Sequence, residues 1–153
     1  MLRVTSFILS LMMVASQTAA QQLKSLCSLM TAEDARTFFG KVPDQKVDSP
    51  QMCGYGVKGQ NVMLTAVNYT SAPNAKRLFE MNRQGMEHAE GGVHDEPGLG
   101  ATAFSGTTKS AVVIFLLKGN VTVQLAVAGD KGKLAPETLD KLRVVAKKTA
   151  SRM

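Results

Sequence analysis

The stretch Ala111-Val-Val-Ile-Phe-Leu-Leu-Lys118, Gly119-Asn120, Val121-Thr-Val-Gln-Leu-Ala-Val-Ala128 decides the fold of this 153-residue chain. Two runs rich in β-branched and aromatic residues flank a Gly-Asn link, the pattern of a β-hairpin with a tight turn. Setting Lys118 opposite Val121 fixes the register. One face then gathers Val112, Ile114 and Leu116 opposite Val127, Leu125 and Val123, which makes it a core face. The other sets Ala111, Val113, Phe115 and Leu117 opposite Ala128, Ala126, Gln124 and Thr122. Apolar on one strand and small or polar on the other, it suits a helix cover or a partly open groove. Phe115, Leu117, Gln124 and Thr122 are therefore the candidate binding face.

Downstream, 129–132 reads as a loop and Pro136 starts a closing helix. Its Leu139, Leu142, Val145 and Ala146 face inward, while Lys141, Lys147, Lys148 and Arg152 stay outside and complement the helix C-terminus. Upstream, Ala101–Ser105 is a short strand behind a linker, 93–100. Ser71-Ala-Pro73 opens a helix with Ala75, Leu78, Phe79, Asn82 and Met86 inward, and Lys76, Arg77, Glu80 and Arg83 toward water. Met52–Lys58 and Asn61–Tyr69 form another hairpin, and 41–51, with Pro43 and Pro50, is a surface loop or weak edge segment. Thr31 caps a first helix, Glu33 and Asp34 favour its dipole, Ala35, Phe38 and Phe39 form its apolar stripe, and Gly40 ends it. The expected fold is α+β: a mostly antiparallel five-stranded sheet packed by helices, in the order α-β-β-α-β-β-β-α.

The amino end reads as a leader. Arg3 precedes an apolar run, Phe7 to Ala15, and small residues ending at Ala20 suit a signal peptidase. The run is about half the length a membrane span needs. In Leu23-Lys-Ser-Leu-Cys27, a charged residue and a bulky leucine stand where a lipobox has an apolar and a small one, so Cys27 is not expected to be lipidated. Residues 1–20 are thus expected to be a signal peptide and 21–153 a single domain, soluble and located in the periplasm or secreted. Without Arg3, 17 of the 18 Lys and Arg remain against 12 Asp and Glu, a net +5. A basic exported protein suits an envelope protein or an anionic polymer as partner, although charge dispersed over the surface also serves solubility alone. With no tryptophan and only Tyr55 and Tyr69 as tyrosines, an aromatic platform for nucleic acid is not expected.

Two cysteines in an oxidising compartment make one disulfide, Cys27–Cys53, worth roughly 3.5 kcal/mol on the chain-entropy account. The rival reading, a redox or metal-binding pair, lacks both Cys-x-x-Cys spacing and a neighbouring histidine. Zinc-type ligands do gather between Glu87 and Glu96, around His88 and His94, with Glu90 and Asp95. That spacing is no known ligand pattern and a Gly91-Gly92 break separates the histidines, so a metal-dependent hydrolase using His88 and His94 is the alternative rather than the main reading. No Gly-x-Ser-x-Gly elbow, Walker loop or dinucleotide fingerprint is present, so no catalytic residue and no cofactor is assigned.

Taken together, Cys27-Ser-Leu-Met-Thr31, Gly40, Cys53, Pro97-Gly-Leu-Gly-Ala-Thr-Ala103 and the terminal hairpin plus helix carry a resemblance. The chain resembles a domain-of-unknown-function family of small exported bacterial proteins, often lipoproteins, that is similar to the Mog1/PsbP-type α-β-α sandwich. The resemblance implies a non-enzymatic extracytoplasmic binding or accessory module with a Cys27–Cys53 disulfide. It transfers no catalytic residues, and the missing lipobox departs from the family pattern.

Overall fold

The computed structural model describes residues 25–129 and 134–153; the leader assigned to residues 1–20, and most of the loop at 129–132, lie outside these. After a single 3-10 turn, Leu26–Ser28, the elements run α1 (Ala32–Phe39), β1 (Gln45–Ser49), β2 (Met52–Val57), β3 (Gln60–Asn68), α2 (Ala72–Met86), β4 (Val93–Asp95), β5 (Thr102–Thr107), β6 (Ala111–Lys118), β7 (Val121–Gly129) and α3 (Thr138–Arg152). The strands form one seven-stranded antiparallel sheet in the order β1-β2-β3-β7-β6-β5-β4.

This corrects the five-stranded expectation. The two additional strands, β1 and β4, are the two edges of the sheet. An edge strand pairs on one side only and keeps charged side chains, so neither shows the apolar alternation that marks a buried strand. β1 reads Gln-Lys-Val-Asp-Ser and β4 only Val-His-Asp. The element order changes accordingly, with three strands before α2 and four after it.

Why the centre forms is plain from its register. β6 and β7 pair Lys118 with Val121 and Ile114 with Leu125, and β3 then docks on β7 with Leu64 opposite Leu125. Val62, Leu64, Ile114, Leu116, Val123, Leu125 and Val127 consequently share one face and are buried. Each contributes roughly 1.5–3 kcal/mol by leaving water. The 3-10 turn, α1 and α3 cover that face with Leu26, Met30, Phe38, Leu142, Val145 and Ala146. Thr31 and Asp34 make a reciprocal capping box at the start of α1, and Gly40 ends it at φ 73°, a conformation that favours glycine.

On the opposite face α2 lies over β5, β6 and β7. Phe79 packs into a smaller core with Phe104, Val113 and Phe115. The Phe104 and Phe115 rings stack at 4.7 Å, and Phe79 meets Phe104 edge-on at 4.9 Å. The end of α2 sits so close to β5 that a Cβ on Gly106 would run into Met86. Helices therefore cover both faces, but α2 covers only the β5–β7 side of its own.

Two buried carboxylates fasten α3 to the rest. Asp34 of α1 takes Arg152 and also Lys148, the latter at 3.2 Å. Glu96, in the loop after β4, takes Arg143 through both oxygens at 2.7 and 2.8 Å and the Ser105 hydroxyl at 2.7 Å. Lys148 and Arg152 are thus not simply solvated cations of a helix end. The Pro97-Gly-Leu-Gly100 segment belongs to the same seam, with Leu99 buried in the main core.

Candidate functional site

Because α2 stops short of β1, β2 and β3, their share of that face is left open. The register places Val47, Gly54, Met63 and Ala126 in one row across the four neighbouring strands. An added Cβ at Gly54 would lie 3.4 Å from Met63 Cγ and 3.6 Å from Val47 Cβ, so those two side chains flank the bare glycine position. A hollow of about 140 Å³ results, bounded also by Gly56 and Asn61. Val47 is 48% exposed and Val67, further along β3, 47%. Isolated apolar side chains on a surface are ordinary; several on one open sheet face are not.

α2 supplies a wall to this surface. One of its flanks carries Arg83, whose guanidinium reaches Asp95 of β4 at 2.6 Å and lies over the Phe104 ring. That flank faces the β4 edge, so helical periodicity turns the opposite flank, with Leu78 and Asn82, toward β3. Leu78 is half-buried and Asn82 exposed, as expected beside an uncovered sheet.

The expected binding residues fall on the border of this opening. Phe115 is buried beneath α2, Leu117 packs half-buried against the same small core, and Thr122 is buried. Gln124 is half-buried, in register with Thr65 on β3, and is the member of the group nearest the open side. Val47 and Met63 carry no motif. The signal that points to them is spatial: a lone valine between Lys46 and Asp48, and a flexible methionine, acquire meaning only once β1 is paired through β2.

A second concavity opens at the same edge on the other face, between α1 and β1. It has a volume of about 530 Å³ and is lined by Glu33, Arg36, Val42, Asp44, Lys46 and Tyr55, among others. Glu33 pairs with Arg36 at 2.9 Å and Lys46 with Asp48 at 3.0 Å, all four side chains being well exposed.

The histidines do not build a metal centre among the described residues. A ring nitrogen of His94 lies 3.0 Å from the Gly91 carbonyl, and the neighbouring acids are engaged elsewhere: Glu90 with Lys109, Asp95 with Arg83, Glu96 with Arg143. No group of three His, Cys, Asp or Glu comes together among these residues. Cys27 and Cys53 are bonded, with Cα atoms 5.1 Å apart, tying the 3-10 turn to β2. No described helix is long and apolar enough to cross a membrane.

No protein-family model matches the chain, and no curated protein matches it. Among solved structures, the crystal structure of the extracellular domain of PknH from Mycobacterium tuberculosis is similar, with a TM-score of 0.54 and 10% identity. The match covers 87% of this chain and 99% of that one, so the likeness extends over nearly the whole fold.

Proposed function

We propose that the protein is an exported accessory module that binds a partner through the open β1–β3 surface beside α2, without chemistry of its own. The observation that carries this reading is the incomplete cover: α2 packs on β5–β7 and leaves Val47, Met63 and Val67 accessible on the remainder. An envelope protein with an apolar segment suits such a surface better than an anionic polymer, because no cation projects from the row Val47-Gly54-Met63. Extracytoplasmic placement rests on the leader-like residues 1–20, the Cys27–Cys53 bond and the fold shared with an extracellular domain. Membership of the small exported family similar to the Mog1/PsbP-type sandwich belongs to the same proposal, resting on the Cys27-Ser-Leu-Met-Thr31 and Pro97-Gly-Leu-Gly100 segments.

Photo-crosslinking in intact cells tests it. A crosslinking amino acid at position 47 or 63 should give a discrete protein adduct, and one at exposed Val144 on α3 should not. Adducts of equal yield from all three positions, or none from 47 and 63, would refute the assignment.

A further inference from the structure

The cleft between α1 and β1 lies on the face opposite the proposed partner surface, and its floor is unusual. Tyr55 is only 4% exposed, its ring belonging to the main core. Its hydroxyl makes no hydrogen bond to a described residue, although every fully enclosed side-chain oxygen or nitrogen among them is paired. Tyr55 lines the cleft, and its phenol oxygen, not fully enclosed, is a polar group on a core side chain whose bonding capacity no described residue uses. Burial pushes its pKa up, despite the counteracting charge of Lys46, so it stands there as a neutral donor and acceptor.

The mouth of the cleft carries charges of both signs. Arg36 and Lys46 are held only by exposed pairs, which exchange partners at little cost. The Asp44 carboxylate has no ion-pair or hydrogen-bond partner among the described residues. A cationic ligand would meet repulsion from Arg36 and Lys46 and an anionic one from Asp44, whereas one bearing both signs satisfies all three. The volume, about 530 Å³, is in the range that encloses small organic ligands.

We infer that the α1–β1 cleft is a binding site for a short peptide with free termini, its ammonium at Asp44, its carboxylate at Arg36 and Lys46, and one of its amides on the Tyr55 hydroxyl. Val42 at the rim offers the apolar contact that a side chain of such a peptide needs. This site lies across the sheet from the partner surface, with Tyr55 of β2 bordering both hollows.

Trialanine titrated into the mature protein, followed by amide NMR, provides the test. Saturable shifts should concentrate at Arg36, Asp44, Lys46 and Tyr55, and N-acetyl-trialanine amide should bind at least about tenfold more weakly. Tyr55→Phe should weaken trialanine about fivefold. Asp44→Asn, at an exposed position, should weaken it by a similar or larger factor and remains informative if the core variant is destabilised. Met63→Glu should leave this binding unchanged while abolishing the crosslinks from the open face, so the two sites fail separately. Absent or unsaturable shifts, equal binding of the blocked peptide, or unchanged affinity in both cleft variants would overturn the inference.

Discussion

Asp34 serves two structures at once. Its carboxylate accepts the Thr31 backbone N–H at 3.0 Å and hydroxyl at 2.9 Å, closing the capping box, and also receives Lys148 and Arg152 from α3. At 1% exposure, burial alone would raise its pKa, but hydrogen bonds from Arg152, Thr31 and Lys148 outweigh this and hold it at about 2. The sign follows from linkage: a depressed folded-state pKa contributes stability that is complete above the unfolded value of about 4 and is lost as pH falls toward about 2. Asp34→Asn should cost roughly 3 kcal/mol at pH 7, near the low end for a broken buried pair because Lys148 and Arg152 can rehydrate. Urea unfolding at pH 7 and pH 3 checks both: the variant should lose less than the natural protein between the two. From the sequence Asp34 is legible as a first-turn acid of a capped helix. Its burial is not, because the cations that permit it come from the far end of the chain, Arg152 being 118 residues away.

At the scale of elements, legibility follows pairing. β6 and β7 have neighbours on both sides and a buried face, and their alternation yields even the cross-strand partner of Lys118. β1 and β4 have one neighbour each, so Lys46, Asp48, His94 and Asp95 could stay polar and the period-2 pattern was lost. α2 was recognisable from Ser71 and Pro73, but its inward face is narrower than periodicity suggests: Ala75 and Phe79 are buried, Asn82 is exposed, and Arg83 turns to Asp95. Phe79 is thus the main tie of α2 to the sheet. Phe79→Ala should destabilise by roughly 3–4 kcal/mol and increase hydrogen exchange within 72–86 more than within α3; uniform exchange across the protein would contradict this. Cys53→Ser acts at the other end of the sheet, where it should lower stability by roughly 3.5 kcal/mol and the melting temperature with it. Calorimetry of the oxidised protein and the variant measures the difference.

The whole molecule is asymmetric across its sheet: one face is closed by the 3-10 turn, α1 and α3, the other is closed over β5–β7 only. The hairpin pattern suits either a helix cover or a partly open groove. The hairpin's face takes the helix cover, with Phe115 beneath α2, and the opening lies off the hairpin, at Val47 of β1 and Met63 of β3. Which part stays open depends on the position of a single helix across seven strands, a long-range property that no local pattern encodes. Met63→Glu should leave the melting temperature within about 2 °C of the natural protein, because its side chain is only half-buried. A larger drop would mean that the open surface is part of the core.

The middle of the sheet joins β3 to β7, so residues 60–68 complete their hydrogen bonding only with residues 121–129. For a chain delivered amino end first, by a ribosome or through an export channel, neither half of the sheet has a partner until the last quarter emerges. Arg143 and Arg152, which meet the buried Glu96 and Asp34, arrive later still. Long-range pairing of this kind is slow to form. A chain that stops short of β7 is therefore expected to stay unfolded and threadable. A fragment ending at residue 119 should show no cooperative thermal transition, and a sharp one would show that the amino-terminal strands close without β7.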